Sequence, residues 1–239
     1  MTGAAPRRSL LLDYHGVISD GERLPAEWRR LLGDFLTPRF GMSPEVWAEA
    51  NRHALTRSLA RAQATEALPE YEERRRADRI EWLRDMLLFA GLEPPAEADL
   101  DAVALEAISY VVPRTRATVP GAALALRALS DQGYALFTAS GDHSEHLDGY
   151  LRGLGVRELF RQTYGADLFG VPKTGPWFYE ALLAHARLAP SATIVVDDDA
   201  WRLDWAKGLG METVLVGPKD PGASHRRISQ FSDLPSVVP

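Results

Sequence analysis

Charged and hydroxyl-bearing residues stand directly behind short apolar runs in this chain. Behind Ser9-Leu10-Leu11-Leu12 comes Asp13-Tyr14-His15-Gly16-Val17, behind Ala135-Leu136-Phe137 comes Thr138-Ala139-Ser140-Gly141, and behind Thr193-Ile194-Val195-Val196 comes Asp197-Asp198-Asp199. Lys173 lies in a turn, Val171-Pro172-Lys173-Thr174-Gly175-Pro176, and its only fellow lysines are Lys207 and Lys219. Singly these residues have ordinary uses: an aspartate after a strand often caps a helix, and Asp199 before Ala200 reads as such a cap. Together they are linked by electrostatics. If Asp13, Asp197 and Asp198 share a crevice, each pair of charges 4 Å apart repels by about 4 kcal/mol at an effective dielectric near 20. Such a crevice needs cations, and an all-oxygen cluster suits Mg²⁺. Lys173 adds a fixed positive charge. Asp13 can then attack an electrophilic phosphorus while metal and lysine neutralise the developing charge. Thr138, with Ser140 beside it, offers a hydroxyl and backbone N–H groups to a phosphate oxygen.

Those positions require a particular framework. The three apolar runs, with a fourth at Thr213-Val214-Leu215-Val216, read as buried strands, each followed by a helical pattern. Strands alternating with helices predict an α/β doubly wound parallel sheet, a Rossmannoid core. In such a sheet ligands bind beyond the carboxyl ends of the strands, where the polar residues stand. Between the first strand and the helix opening at Pro120, residues 44–64, 69–90 and 99–111 have helical spacing, and Trp28, Leu31, Leu32 and Phe35 form a further apolar face. Residues 1–18 and 116–239 are therefore predicted to form the core domain, and residues 19–115 a mainly α-helical cap. The Arg-rich run Glu72 to Arg76 reads as a solvated helix face, and residues 221–239 as a surface loop with a short final helix.

Bulk properties narrow the function. A net charge of −6 argues against a general nucleic-acid or anionic-membrane binder. The absence of cysteine excludes disulfides, thiolate zinc sites and cysteine nucleophiles. No apolar run approaches the ~20 residues of a membrane span. The pair Arg7-Arg8 before Leu10 is followed too soon by Asp13 to read as an export signal, so a cytoplasmic location is expected.

The order strand-Asp-x-x-Gly-Val, strand-Thr, Lys-x-Gly-Pro, strand-Asp-Asp resembles the four motifs of the haloacid-dehalogenase superfamily. The resemblance extends to Val119-Pro120-Gly121, Leu151 to Gly155, Phe160, Ala206-Lys207 and Gly210, with the helical insertion where that family carries a cap. It implies that Asp13 is a nucleophile and that Mg²⁺ is held by the Asp13 carboxylate, the His15 backbone carbonyl and Asp198. It makes Asp197 an auxiliary metal-shell or lysine-orienting acid, and gives the phosphoryl group to Thr138 and Lys173. The implied activity is that of a Mg²⁺-dependent phosphatase acting on a small phosphorylated metabolite.

One position departs from the pattern. Phosphatases of this family carry a second aspartate two residues after the nucleophile, and here that residue is His15. Two readings stand: His15 replaces the general acid/base, since imidazole titrates near neutral pH, or it fills space and meets substrate. The dehalogenase branch needs neither that aspartate nor a metal, and Asp199-Ala200-Trp201 resembles its Asn-Ala-Trp-Asp stretch. Arg202, however, stands where that branch has an aspartate, and the pair Asp197-Asp198 would repel a carboxylate substrate in the absence of a metal. A third reading is a non-catalytic ligand- or partner-binding member of the fold. Arg52 and Arg57 on a cap helix are candidate clamps for an anionic substrate, or exposed arginines of the usual kind.

Overall fold

The computed structural model describes residues 8–64, 71–217 and 224–238. Residues 1–7, 65–70, 218–223 and 239, with Lys219 and the start of the expected tail loop among them, lie outside that description. By internal contacts the chain forms two compact units, residues 1–24 with 116–239 and residues 25–115.

The first unit is built on a six-stranded, wholly parallel sheet: β1 (Ser9–Leu12), β2 (Ala135–Thr138), β3 (Phe160–Gln162), β4 (Thr193–Asp197), β5 (Glu212–Val216) and β6 (Arg226–Ile228), in the order β3-β2-β1-β4-β5-β6. Every residue of β1, β2 and β4 is buried. Strands covered on both faces by helices read as continuous apolar runs, which is why these segments are rich in Leu, Val and Ile rather than alternating. The covering helices are α5 (Ala122–Asp131), α6 (Ser144–Gly153), α7 (Pro176–Ala186) and α8 (Ala200–Gly208), with a final turn, α9 (Leu234–Val237). They bury Leu126 and Leu129, Leu147 and Leu151, Phe178 and Leu182, and Leu203. The sequence points to the division after Ile18, whereas the structure keeps residues 19–24 with the sheet. Ser19 forms an antiparallel bridge with Thr118, and the Asp20 and Val119 N–H groups donate to the carbonyls of Ala117 and Ile18 at 3.2 and 3.1 Å.

The second unit holds most of α1 (Arg23–Phe40), then α2 (Pro44–Ala64), α3 (Tyr71–Phe89) and α4 (Glu97–Val111). Its core gathers Leu32 and Leu36, Trp47, Ala50 and Ala54, Leu83 and Met86, and Leu100, Ala104 and Ala107, the spacing of one apolar face per helix. A buried hydrogen bond from Trp82 Nε1 to Asn51 Oδ1, 2.8 Å, satisfies two polar groups inside it. The Arg-rich start of α3 leaves Arg76 half exposed, and an acid on the next helix ties it and Arg79 down. Arg76 Nε and Arg79 Nε both reach Asp101 on α4, at 2.8 and 2.6 Å. Among the described residues no helix is long and apolar enough to cross a membrane.

Candidate active site

Register brings the sequence motifs to one level. Leu12 pairs with Thr138 on one side and Val196 on the other, so Asp13, Ala139 and Asp197 follow at the same height at the carboxyl end of the sheet. Backbone bonds hold them there: Asp13 N–H donates to Val196 O at 2.9 Å and Ala139 N–H to Leu12 O at 2.8 Å. The chain then turns through Gly16, whose φ of +75° suits glycine. Space also requires glycine, since a Cβ there would lie 2.0 Å from Asp198 Oδ2. The turn after β1 and the loop after β4 are thus packed almost backbone to carboxylate.

Asp13, Asp197 and Asp198 each offer an oxygen within 4.8 Å of the others. Asp13 and Asp197 are buried, whereas Asp198 reaches solvent. Lys173, itself buried, donates from Nζ to Asp197 Oδ2 and to Ala139 O, both at 2.7 Å, and lies 3.3 Å from Asp13 Oδ1. Burial opposes its charge, but Asp13, Tyr179 and Asp197 hold the lysine pKa above its ordinary value, so it is a fixed cation. Burial raises the pKa of Asp197 even with Lys173 alongside. Desolvation, then the charges of Asp197 and Asp13, push Asp198 up to about 6. Among the described residues Asp198 makes no ion pair.

A second cation is present. Asp199 precedes α8 without capping it by its side chain. Its carboxylate instead meets Arg202 Nε at 3.3 Å, and its N–H donates to Asp197 Oδ1 at 2.9 Å. Arg202 Nη1 lies 3.7 Å from Asp13 Oδ2 and 4.0 Å from Asp197 Oδ1. The two oxygens of Asp13 therefore face different cations. Four carboxylates, Asp13, Asp197, Asp198 and Asp199, against Lys173 and Arg202 leave two negative charges uncompensated, and Asp198 pairs with neither cation. An all-oxygen set with a charge deficit fits Mg²⁺. Asp197, with one oxygen on Lys173 and the other on the Asp199 amide, is better arranged to orient the lysine than to bind an ion directly.

His15 Nε2 lies 3.3 Å from Asp142 Oδ2, and His146 Nδ1 lies 3.0 Å from Asp142 Oδ1. Burial alone would lower the His15 pKa, but the hydrogen bond and charge of Asp142 outweigh it and raise the value. Burial acts to raise the Asp142 carboxyl, and the two histidines overcome it, holding the group well below the usual carboxylate range. Sequence reading did not single out this pair. The available signal was the i, i+4 spacing of Asp142 and His146 just after the Ser140-Gly141 turn. It also passed over Tyr179, whose fully buried hydroxyl has no hydrogen-bond partner among the described residues and lies in the field of Lys173, Asp197 and Asp13.

The hydroxyl-bearing residues at the end of β2, Thr138 and Ser140, are less open than their types suggested. The Thr138 hydroxyl donates to Tyr164 O at 3.1 Å, and the N–H groups of Ala139 and Ser140 donate to the carbonyls of Leu12 and Tyr164. Ser140 is buried, and its Oγ accepts a long contact, 3.5 Å, from Asp142 N–H. Arg52 belongs to the helical unit, on α2 beside Glu49 one turn earlier, and Arg57 Nε lies 3.3 Å from buried Asp85.

Comparison with known proteins bears on the family and the fold. A family model described as haloacid dehalogenase-like hydrolase matches residues 8–210. The mouse protein Haloacid dehalogenase-like hydrolase domain-containing protein 3 (Mus musculus) is 27% identical over 159 residues, 64% of this chain and 62% of that protein. (S)-2-haloacid dehalogenase 1 of Pseudomonas sp. (strain CBS-3) is 26% identical over 125 residues, 50% of this chain and 55% of the other. The chain thus spans about three fifths of the length of the curated relatives it matches. Among solved structures, the defluorinating L-2-haloacid dehalogenase Rha0230 superposes with a TM-score of 0.67 at 16% identity, over 96% of this chain and 94% of that one. The HAD-hydrolase YfnB from Bacillus subtilis, solved bound to magnesium, gives 0.64 at 17%, over 96% and 97%. At such identities these structures bear on the fold. The family match, which runs from the strand that presents Asp13 through the helix that carries Arg202, decides the rest: this chain belongs to the haloacid dehalogenase-like hydrolases.

Proposed function

We propose that the chain is a Mg²⁺-dependent phosphomonoester hydrolase acting on a small anionic substrate, with Asp13 as nucleophile. The observation that carries this reading is the charge deficit at Asp198 across from a buried Asp13–Lys173–Asp197 arrangement. Asp13, Asp198 and the His15 carbonyl would hold the ion, which supplies charge neutralisation at the phosphoryl oxygens. A carboxylate oxygen of Asp13 attacks phosphorus, forming a P–O bond as the ester P–O bond breaks. His15, whose pKa Asp142 raises, gives its proton to the leaving oxygen. Water then attacks the phosphorus of the aspartyl phosphate while His15 takes a proton from it, releasing phosphate and restoring Asp13. Lys173 stays charged throughout and faces the phosphoryl oxygens, and Thr138 joins it by rotating its hydroxyl away from Tyr164 O. The helical unit, residues 25–115, would have the cap's task of selecting substrate, with Arg52 as an anion contact whose replacement by alanine raises KM.

A second reading, metal-independent dehalogenation, is favoured by the similarity to (S)-2-haloacid dehalogenase 1. Two added carboxylates and Arg202 against the nucleophile weigh against it. The deciding experiment measures phosphate release from a panel of small phosphoesters, and halide release from a 2-haloacid, with and without Mg²⁺. Metal-stimulated phosphate release that is lost in Asp13→Asn is the expected result. Halide release that chelator leaves unchanged would replace this reading with the other.

A further inference from the structure

We propose that Arg202 is a resident counter-ion of the crevice and a specificity-determining residue, tuning the site to hold its divalent cation loosely and to admit an anionic ester. This rests on the metal-dependent reading above. Arg202 is the third residue of α8, and side chains in the first turn of a helix lean back toward its N-terminus. The guanidinium therefore returns over the loop that carries Asp197, Asp198 and Asp199. It is held from three directions: Asp199 lies 3.3 Å from Nε, Asp13 lies 3.7 Å from Nη1, and the Trp201 ring lies 5.3 Å from Cζ. The side chain is 28% exposed, and Nε has no hydrogen bond of good geometry despite its proximity to Asp199, so the group is packed rather than waving in solvent. It is also permanent, since a guanidinium keeps its proton at any working pH.

The consequence follows from charge. With Arg202 and Lys173 in place the four carboxylates, Asp199 included, retain two net negative charges, and a bound divalent cation brings the site to neutrality. Removing Arg202 would leave three negative charges, which attract the metal more strongly, and a loaded site of net negative charge, which attracts an anion less. The two affinities must move in opposite directions. Loss of packing alone would weaken both or neither.

The test uses Mn²⁺ as the metal probe, followed by electron paramagnetic resonance, and inorganic phosphate as the anion probe, followed by calorimetry in saturating Mg²⁺. The proteins are the wild type, Arg202→Gln, Arg202→Lys and Asp198→Asn. Arg202→Gln is expected to bind Mn²⁺ about 10-fold more tightly and phosphate about 10-fold more weakly, allowing for solvent screening of a partly exposed charge. Arg202→Lys should stay near the wild type in both. If Arg202→Gln leaves Mn²⁺ binding unchanged or weaker, or if the lysine variant behaves like the glutamine one, the counter-ion role is overturned. Should Arg202→Gln fail to fold by circular dichroism, Arg202→Met deletes the same charge and is read in the same way. Absence of Mn²⁺ binding in the wild type, or binding that Asp198→Asn does not weaken, overturns the metal-dependent reading itself and this inference with it. Normal wild-type binding with no opposed shift overturns only the role of Arg202.

Discussion

Replacing His15 by alanine separates chemistry from structure. The side chain is 47% exposed, makes one 3.3 Å contact with Asp142 and meets the Tyr14 and Tyr150 rings edge-on, so its loss should cost folding about 1–2 kcal/mol. Asp142 keeps its second histidine partner, His146. The backbone carbonyl at position 15 is retained, and the proposed cation site with it. A general acid, by contrast, contributes about 10²–10⁴-fold in rate, or roughly 3–5 kcal/mol of barrier. The deficit should depend on the leaving group. An alkyl phosphate, whose alkoxide must be protonated as it departs, should lose most of that factor. A nitrophenyl phosphate, whose phenolate departs unaided, should lose little in the first step. Steady-state rates on the two esters, at pH 7 and saturating Mg²⁺, decide the matter. Equal losses on both, or no loss on either, would refute the assignment and leave His15 a space-filling residue.

Other perturbations probe the scaffold. Lys173→Met should destabilise the fold by about 3–5 kcal/mol in a urea titration, because Asp13 and Asp197 are buried and lose their closest cation, and added Mg²⁺ should restore part of it. Gly16→Ala should weaken Mn²⁺ binding by about 10-fold, since its Cβ would occupy the place of Asp198 Oδ2, while the positive φ costs only about 1–2 kcal/mol. Asp101→Asn removes the partner of Arg76 and Arg79 and should cost about 1 kcal/mol at neutral pH. Although burial raises the Asp101 pKa, the two arginines lower it overall, so its contribution is present above the unfolded carboxyl value and fades as pH falls through the depressed one. The gap between variant and wild type in urea midpoint should therefore close below about pH 4, and a gap that widened there would contradict the assignment.

The central strands were legible in the sequence because burial on both faces demands unbroken apolar runs, and Leu10 to Leu12 and Ile194 to Val196 have no other comfortable use. The edge strands β3 and β6 were not. Each has three residues with one buried and one exposed, Phe160-Arg161-Gln162 and Arg226-Arg227-Ile228, and so carries no apolar run to read. The acidic cluster was legible for the same reason as the strands that end in it: Asp13 and Asp197 follow runs whose register leaves them side by side. Asp142 was not, because it contacts His15 through a turn and a helix start whose mutual placement no local spacing records. Nor was the true partner of Asp199. Composition suggests a helix cap there, but a nearby guanidinium competes for the carboxylate and wins. Thr138 shows the converse, a correctly located hydroxyl whose hydrogen is already engaged.

The strand order has a further bearing on how this molecule fails. The Asp13 carboxylate directly follows β1, the third of six strands, flanked by β2 and β4 and insulated by them from both margins of the sheet. Fraying begins at margins and at segments with few buried neighbours, and amides at the centre of a sheet exchange only when the whole unit opens. Heat or denaturant should thus peel β3 and β6 first and leave Asp13 seated until cooperative collapse, so that loss of any activity that depends on Asp13 and loss of the sheet coincide.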